Sequence, residues 1–120
     1  MTCRRFASGT PAAVSLVALA ISAGAAFAEY RVSVKNDGVR RMTCPADTCG
    51  SIGTYYEGES LVVYETANGW SRVSPYFSAG CTGGESAFVE KGPAECTPEN
   101  GIRSGEFAEW VRIERLQKVN

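Results

Sequence analysis

Residues 60–73 read SLVVYETANGWSRV, and their pattern decides the fold. In 60–65 Leu61 and Val63 fall on one side of an extended chain, while Val62 and Tyr64 fall on the other. That period of two is the mark of a β-strand. Asn68-Gly69 is a hairpin turn signal, and WSRV at 70–73 supplies the returning strand. Trp70 and Val73 lie three residues apart, so on a regular strand they face opposite sides. Val73 therefore joins Leu61 and Val63 in a core, and Trp70 shares the outer face with Arg72.

Outward from this hairpin the rhythm repeats. YRVSVK at 30–35 sets Tyr30, Val32 and Val34 against Arg31, Ser33 and Lys35, and Asn36-Asp37-Gly38 follows as a turn. EWVRI at 109–113 is a last strand, with Val111 and Ile113 inward and Trp110 and Arg112 outward, and 114–116 reads as one helical turn. No amphipathic helix of ordinary length is visible. Short strands with frequent turns predict an all-β fold, a small barrel or sandwich. Residues 74–106 break the pattern, being rich in Gly, Ser and Glu, and only Ala87-Phe88-Val89 looks able to pair there. A structureless loop of that length needs a function or a staple. We read it as an insertion that Cys81 and Cys96 staple, with Tyr76 and Phe77 at its start.

The N-terminus sets the compartment. Arg4 and Arg5 precede an apolar run at 12–23, and Ala26-Phe27-Ala28 has the small-x-small form of a cleavage site. Residues 1–28 thus read as a secretory signal peptide. The apolar run is shorter than the roughly 20 residues that span a bilayer. The expected product is one periplasmic or secreted domain, 29–120, with no membrane span. Cleavage removes two arginines and moves the net charge from −1 to −3. An acidic, mixed-sign surface argues against nucleic acid or an anionic membrane as partner.

Cleavage also removes Cys3 and leaves Cys44, Cys49, Cys81 and Cys96. An even count in a small exported domain points to disulfides. Zinc sites favour paired Cys-x-x-Cys knuckles, whereas these spacings are longer and the chain has no His. A redox dithiol favours Cys-x-x-Cys at a helix N-terminus, whereas Cys44 lies in a Pro-containing loop. Four cysteines allow three pairings. The local pairs Cys44–Cys49 and Cys81–Cys96 are favoured, because Pro45 and Asp47 suit a turn that closes the first. Chain entropy gives about 2 kcal/mol for the first loop and about 3 kcal/mol for the second.

GVRRMTCPADTCGSIGTYYEGESLVVYETANGWSRV at 38–73, followed by EWVRIERL at 109–116, resembles the bacterial SH3-like (SH3b) domain. The resemblance rests on Val39-Arg40 at the entry, Ile52-Gly53 after a loop, and Gly58 before the strand with Leu61, Val62 and Val63. It continues through Gly69-Trp70 and Val73 to Trp110-Val111 and Leu116. The match covers 31–73 and 109–116. The sequence departs from the family at Cys44 and Cys49, and where the insertion at 74–106 replaces a short hairpin. The resemblance implies a small β-barrel of five to six strands that binds rather than catalyses. Its ligand class would be peptidoglycan, or an envelope protein or peptide, with no cofactor.

Candidate ligand-binding residues are the two Trp-x-Arg faces, Trp70 with Arg72 and Trp110 with Arg112, and the outward Tyr56 and Tyr64. Aromatic faces with a polar handle suit stacking on sugars or proline-rich peptides. The competing expectation is that each Trp covers the second face of the barrel and packs on the insertion. Tyr55 is expected to pack. Glu57 with Glu59, and Glu106 with Glu109, are expected as solvated surface rather than acid/base pairs. The Gly-rich 79–84 lacks the strand-loop-helix context of a phosphate loop. With no His, no unpaired Cys after cleavage and no nucleophile motif, no catalytic residue or metal site is expected. The alternative function is a small inhibitor or immunity-type protein that engages a partner through 74–106.

Overall fold

The computed structural model describes residues 29–119, so the expected signal peptide lies outside the described residues. In chain order the strands are β1 (Tyr30–Val34), β2 (Val39–Met42), β3 (Ser51–Tyr55), β4 (Ser60–Val63), β5 (Glu65–Ala67) and β6 (Trp70–Arg72). They continue with β7 (Phe77–Ser78), β8 (Cys81–Thr82), β9 (Glu85–Ser86), β10 (Glu106–Phe107), β11 (Trp110–Arg112) and β12 (Leu116–Lys118). A five-stranded sheet has the order β3-β2-β11-β6-β5, and a three-stranded sheet has the order β12-β1-β4. Two short ladders, β7 with β10 and β8 with β9, lie in 74–107. The fold is mostly β, as the alternation predicts.

The expected closed barrel does not form among the described residues. The strand read at 60–65 bends at Tyr64, so β4 pairs with β1 while β5 pairs with β6. Tyr64 keeps its amide hydrogen bond to the Arg72 carbonyl at 2.9 Å, so the chain passes between sheets without losing that donor. A second corner is the 3-10 turn Ile113–Arg115, which carries the chain from β11 to β12. That turn ends the alternation one residue early. Ile113, expected inward, is 42% exposed. At the other end of the five-stranded sheet, the β3 edge meets the insertion instead of a closing strand, through the Ser51 amide and the Lys91 carbonyl.

Each face of the five-stranded sheet has its own apolar layer. Val39, Val73 and Val111 point toward the three-stranded sheet and meet Val32, Val34, Val63 and Leu116. Met42, Trp70 and Trp110 point the other way, where Cys44 and Cys49 join them. The opposed placement of Trp70 and Val73 follows from their spacing of three.

The insertion builds a third layer from Ala79, Ile102 and Phe107 against Ile52 of β3. Phe77 meets the Phe107 ring edge-on at 4.7 Å, and Phe88 lies 6.5 Å from each of them. Ala87-Phe88-Val89, expected as a strand, is instead a turn and coil in which Phe88 reaches this aromatic trio. Asn100, buried at 4%, ties the insertion to the sheet. Its side chain donates to the Pro93 and Glu95 carbonyls at 2.8 and 3.1 Å and accepts from the Gly50 amide at 2.8 Å. A buried amide satisfied in this way fixes one arrangement of three loops.

Both bridges form in the local pairing, Cys44–Cys49 and Cys81–Cys96. Two disulfides fit an oxidising compartment. Among the described residues, no helix is long and apolar enough to cross a membrane. Cys81 is exposed and Cys96 half-buried, so that bridge acts mainly by restraining the unfolded chain. Replacing both by Ser is expected to lower unfolding free energy by about 2–3 kcal/mol with little change in native contacts. Denaturant unfolding of the variant and the oxidised parent checks this.

Candidate functional site

The candidate site grows from the outer face of the five-stranded sheet. Trp110 lies opposite Met42 and Arg72, and Trp70 lies opposite Arg112. Strand pairing therefore brings both indoles and Met42 into one patch. The chain leaves β2 immediately after Met42, and Thr43 begins a loop that the Cys44–Cys49 bridge closes over this patch. Trp70 and Trp110 are consequently only 5% and 6% exposed, so the indoles cover the second face of the sheet as the competing expectation has it, while Arg112 stays partly exposed. Over the indoles lies the stapled loop, with Ala46 packed against the same cluster, rather than the insertion.

Two depressions flank this loop. On one side, a cleft of about 90 Å³ is lined by Arg40, Asp47, Trp70, Arg112 and Arg115. The Arg112 guanidinium stacks over the Trp70 ring at 4.8 Å and also pairs with Asp47. Arg40 donates to the other oxygen of Asp47 at 3.0 Å.

On the other side, an open groove of about 400 Å³ is lined by Pro45, Tyr76, Pro98, Arg103, Glu106 and Trp110, among others. Gly101 forms part of its wall with φ of 80°, where a side chain would be strained and its Cβ would lie 2.8 Å from Cys44 Cβ. The close approach of backbone there needs glycine.

The predicted residues divide between these features. Trp70 and Arg112 line the cleft, and Trp110 lines the groove. Arg72 pairs with Glu65 at 2.8 Å and donates to the Ser74 carbonyl at 2.7 Å. Its guanidinium also lies 5.2 Å from the Tyr64 ring and 4.9 Å from the Tyr76 ring. Arg72 and Tyr64 thereby position Tyr76 at the groove and leave it 52% exposed. Tyr56 stands apart on the turn after β3, 66% exposed, and lines neither depression. Asp47, Arg40, Arg115 and Tyr76 were not among the sequence candidates. The Arg40-Arg41 pair was the available signal, since adjacent strand residues face opposite sides.

Arg41 indeed goes elsewhere. Glu109, expected as solvated surface, is 9% exposed and receives Arg41 in a bidentate pair at 2.9 and 3.2 Å. The Tyr55 hydroxyl also donates to Glu109, and the Glu109 amide donates to Ser74 Oγ at 2.9 Å. Burial pushes the Tyr55 phenol well above its ordinary range, and the hydrogen bond to Glu109 pushes the same way. The folded state then holds this proton more tightly than the unfolded chain. Its stabilisation is full below the unfolded value of about 10 and is lost as pH rises through the folded value. Stability is expected to fall steadily above about pH 10, and Tyr55→Phe is expected to flatten that fall. Denaturant midpoints from pH 8 to 11 give the comparison. With its oxygens held by Arg41 and Tyr55, Glu109 anchors the start of β11 against β2 and β3.

All four cysteines of the described residues are in disulfides, and no group of three or more His, Cys, Asp or Glu gathers there as a metal site. Comparison of the chain with protein-family models, curated proteins and solved structures finds no match.

Proposed function

We propose that the chain is an exported, SH3-like binding module that recognises cell-wall peptidoglycan, or an envelope protein or peptide, without catalysis. The observation that carries this reading is the groove beside the Cys44–Cys49 loop. There two prolines, Tyr76 and Trp110 face charged Arg103 and Glu106 on a disulfide-anchored frame. Apolar rings beside convergent polar groups suit an extended polymer with both apolar and polar edges. Preorganisation by the bridge lowers the ordering cost of binding. The SH3-like part of this reading rests on the sequence motifs at 38–73 and 109–116 together with the mostly β fold of short strands. The apolar leader read at 1–28 and the two disulfides support export to the periplasm or medium.

Co-sedimentation of the oxidised protein with purified sacculi tests this. Wild type is expected to pellet, and Tyr76→Ala with Arg103→Ala is expected to remain in the supernatant with its fold intact. Wild type left in the supernatant, or equal pelleting of the variant, counts against the reading.

A second reading, an inhibitor acting through 74–106, draws on one observation. The β8–β9 hairpin carries Gly83 and Gly84 at an exposed tip directly beside the Cys81–Cys96 staple. Loss of partner binding on replacing that tip, with sacculus binding absent, selects this reading.

A further inference from the structure

The cleft on the far side of the stapled loop concentrates positive charge in an otherwise acidic chain. Arg40, Arg112 and Arg115 line it with one carboxylate, Asp47, between them. Arg40 and Arg112 each bind Asp47, on its two oxygens. Among the described residues, Arg115 makes one side-chain hydrogen bond, a long 3.4 Å contact to Asn36 Oδ1. Most of its donors therefore face solvent at the cleft. Trp70 forms an apolar wall, held flat under Arg112. The cleft is partly open to solvent, so a group arriving from outside meets these guanidinium donors.

We infer that this cleft is a carboxylate subsite that takes the terminal carboxylate of a peptide, with Asp47 as a built-in competitor. The inference rests on the proposed binding function and names the chemical group that the module reads. Asp47 itself shows the fit, since its carboxylate already bridges two guanidiniums there. An arriving carboxylate takes the open donors of Arg115 and shares or displaces Asp47 at Arg112. The cation stacked on Trp70 stays in place through the exchange, because the indole below it is buried. Both Arg40 and Asp47 are about half exposed, so their pair is exchangeable rather than locked. The Cys44–Cys49 bridge holds Asp47 at the rim and so sets the strength of the competition.

The test uses the protein purified after export with both bridges formed, and follows the Trp70 indole and arginine Nε–H signals by NMR. The probes are N-acetyl-alanyl-alanine, its C-terminal amide, and inorganic phosphate. Saturable shifts confined to Trp70, Arg40, Arg112 and Arg115 are expected with the free acid, with weaker shifts or none for phosphate and none for the amide. Arg115→Gln is expected to weaken binding about tenfold, the worth of a charge-assisted hydrogen bond. Asp47→Asn is expected to tighten it about two- to fivefold, since an exposed ion pair no longer competes. Equal shifts with the amide, equal or stronger shifts with phosphate, no shifts, or weaker binding by Asp47→Asn overturn the subsite. The two readings fail separately. Sacculus pelleting without a carboxylate response overturns the subsite alone, and a carboxylate response without pelleting overturns wall recognition alone.

Discussion

Trp70→Ala is expected to lower unfolding free energy by about 3–5 kcal/mol, a large part of the about 5–15 kcal/mol typical of a domain. The indole is buried between Met42, Ala67 and the stapled loop, and it supports the Arg112 guanidinium from below. Truncation leaves a cavity that the loop cannot collapse into, because the Cys44–Cys49 bridge fixes its span. Trp70→Phe keeps much of the volume and is expected to recover a large share of the loss. The same geometry implies coupling to the bridge. Trp70→Ala combined with Cys44→Ser and Cys49→Ser is expected to depart from additivity by about 1 kcal/mol or more, because both changes loosen the same lid. Guanidinium unfolding of the four proteins in this cycle, with Trp70→Phe as a fifth, checks all three statements. An unchanged midpoint for Trp70→Ala contradicts the burial on which they rest.

Glu109→Ala is expected to cost about 3 kcal/mol, the lower end of the range for breaking a buried pair. The lower end applies because the Arg41 side chain keeps 30% exposure, so water partly solvates the cation left behind. Glu109→Gln is expected to cost nearly as much. The amide oxygen replaces one acceptor, while the new NH₂ group faces an Arg41 N–H in either orientation. Replacing Arg41 and Glu109 together by Met is expected to restore much of the stability, since the expense lies in a desolvated charge without its partner. Denaturant midpoints of the single and double variants measure this. A double variant as unstable as Glu109→Ala contradicts the assignment of the loss to Arg41.

Local spacing made some of the molecule legible, and non-local contact hid the rest. The three-residue separation of Trp70 and Val73, and the adjacency of Trp110 and Val111, placed each pair on opposite sheet faces, where the structure also has them. The hairpin turn at Asn68-Gly69 and the first bridge were equally local, the latter with a sequence separation of 5. The corners were not legible. Nothing in the alternation of 60–65 marks Tyr64 as the point where the strand changes sheets, because that bend answers to two partner strands, β1 and β6.

The polar centres were hidden for the same reason. Glu109 meets Arg41 and Tyr55 across 68 and 54 residues, and Asn100 meets Gly50 across 50. Burial of such groups is decided by folding, and no window of sequence contains both partners. Within the candidate site, periodicity gave the outward direction of Trp70, Trp110, Arg72 and Arg112. The loop that then covers the indoles could be placed only in three dimensions, and with it Asp47 against Arg40 and Arg112.

The most direct measurement is a map of ligand-induced amide and indole shifts on the oxidised protein, with solubilised peptidoglycan fragments as titrant. The expected result is a saturable set of shifts on both flanks of the stapled loop. They should include the Trp110 and Trp70 indoles, residues 43–46, Tyr76 and residues 98–103. Shifts confined to the three-stranded sheet or to the Gly83-Gly84 tip, or no shifts at saturating fragment, contradict a binding surface built around the Cys44–Cys49 loop.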